Sequence, residues 1–345
     1  MQSVVLTRPD DWHLHVRDGE ILRYVVPHTA RCFGRSIIMP NLHPPVTTTA
    51  MALAYRQRIL DAVPAGLRFE PLMTLYLSDQ LDVSEVASAK ASGFVHAIKL
   101  YPKGIARPDQ PGVTAIEHSY PILDAMQTHD LPLLVHAEVT DTTVDIYDRE
   151  KAFLDRTLAG IITRFPQLRV VVEHVSTKDA VQFVESAPVT VAATVTAHHL
   201  LLNRNALFEG GIQPHHYCIP ILKREEHRRA LVQAATSGNP KFFLGTDSAP
   251  HAQHTKETRC GCAGVYTAHA AIELYAEVFE QAHALDRLEA FASFHGADFY
   301  GLPRNRDAIT IHKDAWQVPD DMPLGVENKL VPLRAGGIIA WRIRI

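Results

Sequence analysis

Eight times along this chain a short apolar stretch of strand character gives way to a polar loop and then to sequence of helical periodicity. The strands are expected at residues 11–18, 35–40, 67–76, 95–100, 132–136, 169–174, 189–196 and 241–247. The helices are expected at 21–29, 49–63, 83–92, 114–128, 148–165, 178–185, 225–236 and 265–283. Many of the strands are apolar on both faces, which argues a parallel sheet covered on both sides. Eight such units close into one (β/α)8 TIM barrel, an α/β fold. An open doubly wound sheet is the alternative, but no Gly-x-Gly-x-x-Gly follows the first strand. The rhythm breaks after Leu302. Residues 1–302 are therefore expected to form the barrel, and 303–345 a C-terminal extension packed on it rather than a separate domain.

Composition excludes several classes. The chain has 345 residues, 46% hydrophobic and 21% charged, as ordinary soluble globular proteins do. A net charge of -4 with no long like-charge run offers nothing to nucleic acid or to an anionic membrane. Its apolar runs are too short to span a bilayer. The first residues, Met1 to Pro9, lack the apolar core and cleavage site of a signal peptide, so a cytoplasmic location is expected. The four cysteines are then expected as free thiols, and Cys260-Gly261-Cys262 lacks the second pair of a zinc ribbon. No internal repeat or low-complexity stretch is present. The unusual count is 20 histidines.

The polar residues that close the expected strands form a set. Asp11-Trp12-His13-Leu14-His15-Val16-Arg17-Asp18 alternates in polarity, so His13 and His15 should face one way, with Arg17 next in line. An isolated His-x-His more often decorates a strand than binds a metal. Here Lys99, His136, His174 and Asp247 close four more strands, and in a barrel all these ends meet at one mouth. Four histidines and a carboxylate suit Zn2+ or a similar divalent ion, and are too many for one open tetrahedral site. Two ions are expected. An ammonium beside two dications loses its proton readily, and neutral Lys99 can then take up CO2 to become a bridging carbamate; a structural ion pair is the other reading. Two metals bridged by hydroxide supply a nucleophile at neutral pH and polarise a carbonyl. Asp247 can also shuttle the proton between that water and a leaving nitrogen. The machinery suits hydrolysis or formation of a C–N bond at a carbonyl.

Arg17 offers a bidentate grip on a carboxylate or phosphate. Asn41 and His251 can complete an anion site, although each alone reads equally as a loop residue with a local hydrogen bond. The loops holding Ile219 and Ala263 can offer backbone groups to an amide or ureide. The pairs His198-His199 and His215-His216 are assigned by default to the surface or to the surroundings of the site.

These residues resemble the amidohydrolase superfamily, and within it the shorter bacterial-type (class II) dihydroorotases. The segments Pro9 to Gly19, Met39 to Leu42, Ala97 to Pro102, Leu134 to Val139, Glu173-His174, Tyr217 to Lys223 and Gly245 to His251 carry the likeness. The resemblance implies two Zn2+ per subunit. His13, His15, Lys99 as N6-carboxylysine and Asp247 would hold one; the same carbamate with His136 and His174 would hold the other. It implies that Asp247 is the acid/base, that Arg17, Asn41 and His251 bind the substrate carboxylate, and that the backbones of Ile219 and Ala263 meet the ring ureide. The reaction implied is reversible closure of N-carbamoyl-L-aspartate to dihydroorotate with loss of water, in pyrimidine synthesis, by a homodimer. One departure stands out: the stretch Ile105-Ala106-Arg107-Pro108 lacks the Thr-Thr pair common in that family's mobile loop, and Arg107 is the candidate to replace it through charge.

Three other readings are weighed. A mononuclear deaminase would have no use for Lys99 as a bridge. A hydantoinase or allantoinase relative would use the same metals but build a β-sandwich from a long segment ahead of His13, where only twelve residues stand. A non-catalytic scaffold barrel would be expected to have lost metal ligands, and all six are present.

Overall fold

The computed structural model describes residues 2–105, 112–259 and 261–344. Its strands are β1 (Ser3–Thr7), β2 (Asp11–Leu14), β3 (Arg35–Ile38), β4 (Glu70–Leu77), β5 (Val95–Leu100), β6 (Leu133–Val135), β7 (Val170–Val172), β8 (Val191–Val195), β9 (Phe242–Leu244), β10 (Ala308–Gln317), β11 (Met322–Pro323), β12 (Lys329–Leu330) and β13 (Ile338–Ile343). Strands β2 to β9 form one eight-stranded parallel sheet in sequence order. The seam between its edges is bridged where Asp247 N donates to His13 O (2.8 Å) and His15 N to Ser248 O (3.1 Å). The result is the (β/α)8 TIM barrel.

All eight expected barrel strands are present, most of them shorter than read from sequence. The first ends at Leu14 rather than running to Asp18, because Arg17 takes a left-handed conformation (φ 60°) that a strand cannot hold. The helix expected at 148–165 has a π-helical turn, Leu154–Leu158, at its centre.

One side chain from each strand fills the barrel: Trp12, Ile37, Leu72, Ala97, Leu134, Val171, Ala192 and Phe243. Their immediate neighbours, such as Ile38, Ile98, Val172 and Leu244, belong to the layer between sheet and helices. This double-sided burial is why the strands read as continuous apolar runs, since each fully buried aliphatic side chain contributes roughly 1.5–3 kcal/mol. At the N-terminal end Trp12 stacks on Tyr300, with ring centroids 4.6 Å apart.

The C-terminal extension is tied to the start of the chain. Strand β10 pairs antiparallel with β1, Ser3 opposite His312 and Thr7 opposite Ala308, and with β13 on its other side. This sheet docks on the helix Ala271–Gln281, where Glu277 Oε1 accepts from Ala340 N (2.8 Å) and Glu273 Oε1 from Ile343 N (3.3 Å). Among the described residues no helix is long and apolar enough to cross a membrane.

Candidate metal centre and active site

Moving two residues toward the mouth from the apolar layer keeps a side chain on the same face of its strand. From Ala97, Leu134, Val171, Ala192 and Phe243 that step reaches Lys99, His136, Glu173, Thr194 and Gly245. The alternation that packs the barrel interior therefore delivers a polar layer to the C-terminal end, where barrels place their sites. Gly245 has no room for a side chain, since a Cβ there would lie 2.6 Å from Thr194 Cβ and 3.1 Å from His13 Cβ. On β2 the register slips between Asp11 and Leu14, which brings His13 into this layer although Trp12 beside it also faces inward.

The six residues singled out for metal binding converge. His13 Nε2 and His15 Nε2 lie 3.3 and 3.1 Å from Asp247 Oδ1, and the ligand atoms of these three residues all fall within 4.8 Å of one another. The His174 ring centroid is 5.0 Å from that of His13 and 4.7 Å from that of His136. Lys99 is fully buried below them, its Nζ 4.9 Å from the Tyr101 ring centroid and without a hydrogen-bond partner. His174 Nδ1 is also buried and unpartnered. Such atoms are costly in a folded interior unless something else satisfies them.

Contacts behind the imidazoles fix their orientation. His13 Nδ1–H donates to Glu173 Oε2 at 2.6 Å, since a carboxylate only accepts, and this turns Nε2 toward Asp247. Thr194 Oγ1 donates to the same carboxylate oxygen at 2.6 Å and accepts from His174 N at 2.7 Å. His15 Nδ1–H donates to Asn41 Oδ1 (3.0 Å), and His136 Nε2–H to Glu138 Oε2 (2.7 Å). Carboxylates and amides in this position are how metal-binding histidines are usually held.

The electrostatics follow from burial. Desolvation lowers the Lys99 ammonium to about 8, against the pull of Glu173 and Asp247. Burial, His136 and Lys99 hold His174 well below its usual range, so its imidazole is neutral. Burial pushes the Asp247 carboxyl up, but hydrogen bonds and charge from His13, with His15 and His174, outweigh it and keep it ionised. Arg17, His174 and Asp247 all adopt positive φ (60°, 41° and 47°). Each such residue costs roughly 1–3 kcal/mol and persists only where surrounding contacts over-determine it.

The residues expected to meet substrate share one cavity of about 970 Å³ with the cluster. Arg17, Asn41, Ile219, His251 and Ala263 line it together with His15, His136, His174 and Asp247, while His13 and Lys99 lie beneath its floor. Arg17 Nη2–H donates to His251 Nε2 (2.7 Å) and Arg17 Nε–H to Pro250 O (3.2 Å). Burial and the nearby charges of Arg17 and Lys256 hold His251 well below its usual range, so its neutral ring can accept from Arg17. Arg107 lies outside the described residues, as does Cys260.

One default assignment is narrowed and four residues are added. Of the surface or the surroundings of the site, His198 and His199 belong to the surroundings, since both are buried. His199 uses its ring nitrogens on Thr196 Oγ1 (2.7 Å) and Pro220 O (3.0 Å), which ties the 217–220 loop to the end of β8. Glu173, Thr194, Glu138 and Lys256 received no role from the sequence. The signal for Glu173 was available: a carboxylate closing the apolar run Val170-Val171-Val172 must find a partner inside.

A parallel barrel with histidines, a carboxylate and a buried lysine at its mouth defines the class of protein: a metal-dependent hydrolase. The amidohydrolase family model matches residues 10–335. The dihydroorotase of Methylobacillus flagellatus is 64% identical, over 99% of both chains. Among solved structures, the dihydroorotase of Campylobacter jejuni is 35% identical, covering 99% of this chain and 98% of that one, with a TM-score of 0.91. The dihydroorotase of Saccharomyces cerevisiae, solved in complex with 5-fluoroorotic acid, is 32% identical over 100% of this chain and 99% of that one, also with a TM-score of 0.91. The chain belongs to the amidohydrolase family and, within it, to the dihydroorotases.

Proposed function

We propose that this dihydroorotase interconverts N-carbamoyl-L-aspartate and dihydroorotate at the barrel mouth, with the six converging side chains holding two zinc ions. The observation that carries this reading is the placement of His13, His15, Lys99, His136, His174 and Asp247 around one point, with Lys99 Nζ and His174 Nδ1 buried and unpartnered. The donor set fits the ions: neutral imidazoles and a carboxylate are ordinary zinc ligands. Lys99 fits as a carbamate, because burial already brings the amine toward its neutral, nucleophilic form. His13, His15 and Asp247 would hold one ion, His136 and His174 the other, with carboxylated Lys99 shared. When bound, the metals supply Lewis acidity and an activated water at neutral pH.

The remaining chemistry belongs to the chain. In the direction of hydrolysis, water adds to the ring carbonyl of dihydroorotate and the C–N bond opens. Asp247 carboxylate takes the proton from that water and returns it to the departing nitrogen; in ring closure the same proton runs the other way. Arg17 donates to the substrate carboxylate, with His251 and Asn41 beside it, and sets which ring edge faces Asp247. Backbone groups of Ile219 and Ala263 take the ureide edge. The complex of the yeast relative with 5-fluoroorotic acid supports an anionic pyrimidine as the ligand class. The product then serves pyrimidine synthesis in the cytoplasm, and the active form is a homodimer.

An absorbance assay on purified, zinc-loaded protein tests this reading. Turnover of dihydroorotate without turnover of hydantoin is the expected result; turnover of hydantoin alone overturns it.

A further inference from the structure

Lys256 is a buried cation with an unusual set of partners. It closes the short helix Gln253–Lys256 and is 5% exposed. Its Nζ donates to Gly264 O (2.6 Å), Cys262 O (2.8 Å) and Tyr217 O (3.2 Å). All three ammonium protons are thereby used, and all three acceptors are backbone carbonyls. No carboxylate pairs with it among the described residues. A charge held this way is expensive, and a methionine would pack the same stem without that cost.

The three carbonyls belong to the two loops that carry Ile219 and Ala263. The loops are also joined directly, Gly264 N donating to Tyr217 O at 2.9 Å. Gly264 allows the close approach: its φ is 143°, and a Cβ there would lie 2.7 Å from Ala249 Cβ. The backbone N–H groups of Ile219 and Ala263 have no protein partner among the described residues, and both residues line the cavity. One of them is linked covalently to the clasp. The carbonyl of Cys262 and the N–H of Ala263 belong to the same trans peptide unit, in which C=O and N–H point opposite ways. The carbonyl aimed at Lys256 therefore turns the Ala263 N–H away from the ammonium. A cation on the oxygen of a peptide also polarises that peptide and strengthens its N–H as a donor.

We propose that Lys256 is a positioning residue for substrate binding: its ammonium clasps the loops of Ile219 and Ala263 and, through the Cys262–Ala263 peptide, aims and polarises the Ala263 N–H toward an acceptor on a cyclic ureide. This rests on the reading that those backbones meet the ring. It does not require Lys256 to touch substrate or metal.

The test compares wild-type enzyme with Lys256→Met, which keeps the stem and removes the donors, and Lys256→Arg, which keeps a cation but spreads its donors in a planar fork. KM for dihydroorotate rises roughly 10-fold in Lys256→Met, with metal content unchanged and kcat altered less than KM. It rises by a smaller factor in Lys256→Arg. A role in packing alone would lower the melting temperature and leave KM in place. Wild-type KM in folded, metal-replete Lys256→Met overturns the proposal. Should that variant fail to fold, Lys256→Arg decides: a raised KM supports the clasp and an unchanged one overturns it. Wild-type enzyme that fails to open dihydroorotate at all would instead sink the underlying assignment of function.

Discussion

His13 Nδ1 and Glu173 Oε2 lie 2.6 Å apart, both buried, although 160 residues separate them along the chain. The carboxylate decides which nitrogen of His13 carries the proton and so which one is available to a metal. Glu173→Gln keeps the shape but removes the charge. Metal affinity should fall roughly 10–100-fold. Competition against a chromophoric chelator measures this directly; an unchanged affinity would mean that the pair only packs.

Arg17 reaches the cavity from a left-handed turn just beyond β2 and is braced by His251 and Pro250 O. Lysine has a point charge where arginine has a fork. In Arg17→Lys, KM for dihydroorotate should rise on the order of 10-fold or more, with kcat falling less. Steady-state kinetics at fixed zinc checks the split, and a fall in kcat with KM unchanged would argue against a grip on the carboxylate.

The fold of the barrel was legible because one physical rule governs each strand: both faces are buried, so both must be apolar. The same rule made the strand-end residues conspicuous, and alternation brings Lys99 and His136 into one layer. What was hidden depends on contacts distant in sequence. Strand β1 has no pattern of its own strong enough to announce it, and its partner β10 begins some three hundred residues later. The slip of β2 that admits both Trp12 and His13 to the interior is a local irregularity that alternation does not anticipate. Lys256 looks like any loop lysine until three carbonyls are seen to surround it.

Glu150 gives stability a dependence on pH. It is buried and accepts from Ser176 N (2.9 Å) and from Thr177 Oγ1. Burial raises its carboxyl to about 7, against the pull of Lys223. The folded state therefore holds this proton more tightly than the unfolded chain does. Stability contributed by the group is complete below about 4.5, falls as pH rises through the interval up to about 7, and is constant above it. The loss is on the order of 3 kcal/mol. Urea unfolding at pH 5 and pH 8 should show a shallower decline in Glu150→Gln than in wild type; parallel declines would contradict the assignment.

Gly296 lets the helix His295–Tyr300 close the base of the barrel. A Cβ at this position would lie 2.0 Å from Trp12 Nε1 and 2.4 Å from two ring carbons. The indole is held between Tyr300 and Phe243 and cannot yield easily. Gly296→Ala should destabilise the fold by about 1–3 kcal/mol, although alanine is the better helix former. A denaturation midpoint equal to or above that of wild type would show that the base repacks freely.

The joint site is probed most sharply by the ratio of bound metal to protein, read together with the mass of the metal-loaded chain under native conditions. Wild type should retain two divalent ions per chain with Lys99 carrying one added CO2, and Lys99→Met should retain at most one. Two ions bound to a chain whose Lys99 is unmodified would contradict the shared carbamate. A wild-type chain that saturates at one ion would contradict the paired centre itself.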